Sequence, residues 1–182
     1  MNIAILEDQE DLKNKISSDL NDYRLEYKSV DLGGGADWWF IVITILSTFF
    51  LGKKINENLD AWKEIGLKFK KILEKEKMPL FIDIDVAKAI AIADLNEKTQ
   101  IKSLELMKSD QIIDRNFDHK GFKLDFTPYN YYILVFKVNR LENFIYCIKS
   151  NGKIQFKDYF ENSEWNFPYD WSSYSDREDY TT

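Results

Sequence analysis

The sequence predicts an α+β fold: an N-terminal strand, helix and strand, a central hairpin of one apolar and one amphipathic helix, and a C-terminal antiparallel β-meander. Three observations carry that expectation. Leu12, Ile16 and Leu20 form a helical stripe between two short strand-like runs. Residues 38–73 hold an apolar run followed by apolar positions at helical spacing. Beyond Tyr131 come three short runs rich in β-branched and aromatic residues, the last two divided by Asn151-Gly152.

At 182 residues the chain suits one domain, read as residues 1–160, with an acidic, aromatic tail over 161–182. Its 45% hydrophobic and 31% charged residues place it with folded globular chains rather than disordered ones. The single cysteine, Cys147, excludes an intramolecular disulfide and a cysteine-built zinc site, which fits a reducing compartment. The expected location is cytoplasmic, with the membrane periphery as the variant. The opening MNIAILED lacks a basic region ahead of an apolar stretch, so no secretory signal is expected. From Asp158 onward there are seven acids and one base, so this end carries the whole net charge of -6. Nonspecific nucleic-acid binding needs a clustered excess of Lys and Arg, so no nucleic acid is expected as a partner. Nothing in the pattern sets an oligomeric state.

Residues 2–6 read as a strand, 11–20 as an amphipathic helix and 25–32 as a second strand. The first twelve residues, MNIAILEDQEDL, are similar to the start of response-regulator receiver domains, in which an acidic pair after the first strand holds magnesium. The likeness stops there: no strand ending in an isolated Asp stands where a phosphoacceptor is needed, and strand–helix alternation does not continue at the family's spacing. Glu7 and Asp8 are therefore read as solvated residues at a strand end.

Gly33-Gly34-Gly35 reads as a hinge, because no Lys-Ser/Thr of a phosphate-binding loop follows at the required distance. Residues 38–51 then place eleven apolar residues among fourteen. With Asp37 as N-cap and Gly52 as C-cap the segment reads as a helix over 36–52, whose Thr44, Ser47 and Thr48 form one hydroxyl stripe. At 1.5 Å per residue it would span roughly 25 Å, short of the roughly 30 Å hydrocarbon core of a bilayer. A buried core helix is the preferred reading. The alternative is membrane contact or self-association through Trp38, Trp39, Phe40, Phe49 and Phe50, with Lys53 and Lys54 as interfacial anchors. Ile55, Leu59, Trp62, Ile65, Phe69 and Ile72 mark the following segment, 55–73, as an amphipathic helix able to pack on the apolar one.

Pro79 ends that helix, and LFIDID over 80–85 reads as a buried strand. Asp83 is expected to face solvent and Asp85 to cap a helix over 86–95, whose alanines at 87, 89, 91 and 93 permit close packing. A strand is expected near 101–106. His119 lies in the turn-forming DHKG and reads as a solvated loop residue. In the meander, Asn151-Gly152 is expected to form a type I′ turn, and Cys147, in mid-strand, to be an inert small hydrophobe.

The tail mixes aromatics with acids and lacks helical or strand periodicity. Its plain reading is an arm docked on its own domain. Its functional reading makes Glu161, Glu164, Trp165, Phe167, Tyr169, Asp170 and Trp171 the partner-binding residues, aromatics supplying contact area and acids steering the encounter with a basic protein. Acidic-aromatic surfaces of this kind resemble those of nuclease-neutralising immunity proteins, a resemblance of architecture. The function expected is thus a noncatalytic protein-binding module of the immunity or antitoxin type in a bacterial conflict system. A small membrane-associated or pore-forming effector using residues 38–51 is the alternative, and a carboxylate-dependent enzyme comes third. No catalytic residue, cofactor or metal is assigned, since one Cys and one His give no triad or zinc site at any recognisable spacing.

Overall fold

A computed structural model describes residues 1–6, 10–31, 39–46, 55–75, 80–112 and 130–161. The N-terminal sheet contains β1 (Asn2–Leu6), β2 (Arg24–Asp31), β3 (Trp39–Leu46) and the two-residue β4 (Phe81–Ile82), in the order β2-β3-β1-β4. The C-terminal sheet is a meander of β5 (Leu104–Ile112), β6 (Tyr131–Val138), β7 (Glu142–Lys149) and β8 (Ile154–Glu161). All pairings are antiparallel. Among the described residues three α-helices accompany them: α1 (Glu10–Asp19), α2 (Leu59–Lys75), entered through a 3₁₀ turn at Ile55–Asn58, and α3 (Ile84–Lys98). The α+β class and the C-terminal meander expected from the sequence are both present.

The apolar stripes behave as their spacing implies. Leu12, Ile16 and Leu20 are buried, as are Ile55, Trp62, Ile65, Phe69 and Ile72. Helix α3 is different, because Val86, Ala87, Ala89, Ile90, Ala91, Ile92, Ala93 and Leu95 are all buried, leaving it without a continuous polar face. A helix apolar nearly all round needs cover on several sides. It receives α2 along one flank, β1 of the first sheet and β6 of the second. One buried cluster accordingly runs through Ile3, Ile43, Ile65, Ile90, Leu134 and Tyr146, drawing on both sheets.

The sheets also meet through hydrogen bonds. The Ile82 N–H donates to the Ser150 carbonyl (2.7 Å), the Ser150 N–H to the Asn130 carbonyl (2.8 Å), and the buried Tyr132 hydroxyl to the Ile82 carbonyl (2.5 Å). The short β4 is thereby satisfied on the side away from β1, which a buried backbone requires.

The structure corrects several sequence expectations. The apolar segment is no helix where it is described: residues 39–46 form β3, paired with β2 on one side and β1 on the other. Ile41, Ile43 and Ile45 share one face, while Val42 lies on the opposite face and is also buried. A strand covered on both faces shows no alternation, so its periodicity cannot be told from that of a buried helix. Its β-branched content was the better guide. The helical hairpin is consequently formed by α2 and α3. Only Phe81–Ile82 of the 80–85 run is strand, because Asp83, and not Asp85, caps α3. β5 begins at Leu104 rather than 101 and continues through the polar Lys108-Ser109-Asp110, as a sheet-edge strand can. The Asn151-Gly152 hairpin is where it was expected, but its turn differs. Gly152 alone has positive φ (81°), its N–H donates to the Lys149 carbonyl, and a register shift follows, the pattern of a three-residue loop with a bulge. Both central positions of the preceding hairpin, Asn139 (51°) and Arg140 (65°), have the positive φ that type I′ demands.

The tightest helix contact is at Gly66, where an added Cβ would lie 2.0 Å from the Ala89 carbonyl oxygen and 2.9 Å from the Ala93 Cβ. Helix propensity alone favours Ala over Gly by about 1 kcal/mol. Here the clash with backbone wins, so Gly66→Ala should lower unfolding free energy by about 2 kcal/mol or more, within the usual range of overpacking. Denaturant melts of this variant beside the exposed-face control Leu67→Ala check it. An unchanged or higher midpoint for Gly66→Ala would contradict the packing.

Candidate functional site

Two places on the described surface gather chemistry: a polar cluster around Asp94, and the outer strand β8. Asp94 sits in the second half of α3, buried among alanines and isoleucines. A buried carboxylate demands partners. It accepts from the Tyr146 hydroxyl of β7 (2.8 Å), from Lys157 Nζ of β8 (3.0 and 3.2 Å to its two oxygens) and from Lys98 Nζ one turn along (2.9 Å). Lys98 also lies 6.0 Å from the Tyr146 ring centroid, and the neighbouring Glu97 binds Lys70 of α2 at 2.6 Å. The cluster therefore ties α3 to β7 and β8, and α2 to α3.

Burial by itself would raise the Asp94 carboxyl, but hydrogen bonds from Lys98, Tyr146 and Lys157 outweigh it and hold the group below the usual carboxylate range. Burial, then the bond to Asp94, pushes the Tyr146 phenol well above its ordinary value. Burial and the adjacent Lys157 lower Lys98. General acid–base work favours a group poised near neutrality. An ionised, saturated Asp94 beside a protonated Tyr146 is suited to holding elements together.

Asp83 is the second buried acid. Its Oδ1 accepts from the Val86 N–H (2.9 Å) as N-cap of α3, and its Oδ2 accepts from the Asn2 side chain (2.9 Å), whose Oδ1 in turn accepts from Thr44 (2.7 Å). Burial pushes its carboxyl up despite the Met1 amino group and the cap bond. Asp85 instead pairs with Lys88 at 2.8 Å. Among the described residues no group of three or more His, Cys, Asp or Glu is placed to hold a metal ion. Cys147 is half-buried, and burial raises its thiol.

At β8 the residues alternate between the two faces. Lys157 turns inward to Asp94, and Tyr159 sits beside Phe144 with ring centroids 5.9 Å apart. On the other face Phe160 packs against Ile133, Val135 and Ile145. Phe156 is 51% and Tyr159 55% exposed, large apolar groups on the last strand of the sheet.

Of the site residues expected from the sequence, Trp39 and Phe40 lie on β3 and Glu161 ends β8. Trp38, Phe49, Phe50, Lys53 and Lys54 lie outside the described residues, as do Glu164, Trp165, Phe167, Tyr169, Asp170, Trp171 and His119. Among the described residues no helix is long and apolar enough to cross a membrane. The sequence reading missed Asp94, although one signal was present: it is the only charged residue from Ala89 to Leu95. Comparison with protein-family models, curated proteins and solved structures finds no match.

Asp94 yields a pH signature. Its pKa is lower folded than unfolded, so its contribution is complete above the unfolded value of about 3.9 and vanishes as pH falls through the folded value. Asp94→Asn should cost about 2 kcal/mol or more at neutral pH, as expected for breaking a buried charged network. The gap to wild type should narrow steadily under acid conditions. Urea melts of both proteins between neutral and strongly acid pH measure it; parallel stability curves would contradict the assignment.

Proposed function

We propose that the chain is a noncatalytic protein-binding module of the immunity or antitoxin type in a bacterial conflict system, and that its partner presents a basic surface. The observation that carries this reading is the exposure of Phe156 and Tyr159 on an outer strand that leads directly into the acidic, aromatic segment 161–182. Exposed aromatics beside concentrated charge of one sign are the ingredients of an electrostatically steered interface. Glu161, Glu164 and Asp170 orient the encounter, and Trp165, Phe167, Tyr169 and Trp171 join Phe156 and Tyr159 as contact residues. The cytoplasm suits a chain whose one thiol, Cys147, is free.

A photoreactive phenylalanine analogue placed at Phe156 or Tyr159, with Tyr27 on the opposite sheet as control, tests the reading in cells. Adducts from positions 156 and 159, but not 27, to a protein of net positive charge are expected, and they should weaken when Glu161, Glu164 and Asp170 are neutralised together. Equal adducts from all three positions, or undiminished yield after neutralisation, would overturn it.

A further inference from the structure

We propose that β8 is also a self-pairing edge, through which two copies of this chain join antiparallel about a two-fold axis. The inference stands on the four sheet edges and needs no partner protein. Strands ending a sheet are ordinarily guarded by charge, irregularity, brevity or cover. β2 carries Arg24, Glu26 and Lys28 at alternate positions. The two-residue β4 is covered by Ser150 and Tyr132. β5 is interrupted at Met107 by a register shift between Leu106 and Lys108. β8 is uninterrupted from Phe156 to Glu161: its register shift lies at the hairpin end, between the partners of Cys147 and Ile148, its lysine is bonded to Asp94, and Asp158 is the one other charged residue between Phe156 and Tyr159.

Charge then selects a second copy and its register. A two-fold axis perpendicular to the sheet keeps opposed residues on the same face, so it must pass through a residue. An axis through Lys157 opposes two lysines, and one through Asp158 opposes two aspartates; like charges directly across strands are unfavourable. An axis through Phe156 pairs the irregular part of the strand, one through Phe160 puts no acid opposite Lys157, and one through position 161 opposes two glutamates. An axis through Tyr159 places the two Tyr159 rings together and sets each Lys157 opposite position 161, a glutamate, of the other copy. Lys157 keeps enough exposure to meet a second acid.

Sedimentation of the full chain from micromolar to millimolar concentration should show reversible dimerisation, weakened at least tenfold by Tyr159→Lys, which opposes two ammonium groups across the axis. Directly opposed antiparallel residues have Cα atoms about 4.5–5.5 Å apart, within disulfide reach. In a Cys147→Ala background, Tyr159→Cys should therefore oxidise to a covalent dimer far faster than Met107→Cys, whose residue is 53% exposed on the opposite edge of the same sheet. A chain that stays monomeric throughout, or that cross-links equally from positions 107 and 159, would overturn the proposal.

Discussion

The rest of the structure depends on burying α3, a helix with almost no polar face. Its small residues let α2 approach until Gly66 rests on the Ala89 carbonyl, and its isoleucines and valine take part in the core shared by both sheets. Close packing of this kind leaves little room for adjustment. The two charged residues it buries make specific attachments: Asp83 connects its start to Asn2 of β1, and Asp94 connects its later turns to Tyr146 and Lys157. One helix thus reaches the N-terminal sheet through one carboxylate and the C-terminal sheet through another. The hydrogen bonds among Ile82, Ser150, Asn130 and Tyr132 close the seam between the same two sheets.

This arrangement bears on the proposed interface through β8. Lys157 is held by a carboxylate that is itself buried and saturated, so the outermost strand is anchored to the helical core. Anchoring limits the ordering cost of using that strand as a contact surface. Phe156, just past the register shift, and Tyr159 are presented from β8, adjacent in sequence to the charge-rich end of the chain. The proposed interface joins these features: an edge tied to the helical core, exposed aromatic groups and long-range charge.

Much of the architecture was legible in the sequence because it follows simple periods. The spacing of Leu12, Ile16 and Leu20, and of the apolar positions from Ile55 to Ile72, marked helical segments that bury all of these residues but the half-buried Leu59. Turn chemistry located the last hairpin, although Gly152 rather than the Asn-Gly pair supplies the positive φ. What failed was the apolar run, for a physical reason: β3 lies inside its sheet with buried residues on both faces, and such a strand carries no alternation to read. The cap of α3 was displaced by two residues because DID offers two aspartates of equal intrinsic quality, and packing against Asn2 chose Asp83. Asp94 was hidden by its dependence on Tyr146 and Lys157, respectively 52 and 63 positions away. The acidic tail residues past Glu161 lie beyond the described structure, so their expected role rests on composition.

The central claim is that α3 couples the two sheets into one cooperative unit. Native-state hydrogen exchange under increasing denaturant addresses it most directly, because elements that open together share both an opening free energy and its denaturant dependence. Amides of Ile3 and Ile5 in β1, Ile90 and Ile92 in α3, and Leu134 and Phe136 in β6 should converge on a single global opening. Two separate isotherms, with the β1 amides exchanging through an opening that leaves those of β6 protected, would contradict the account.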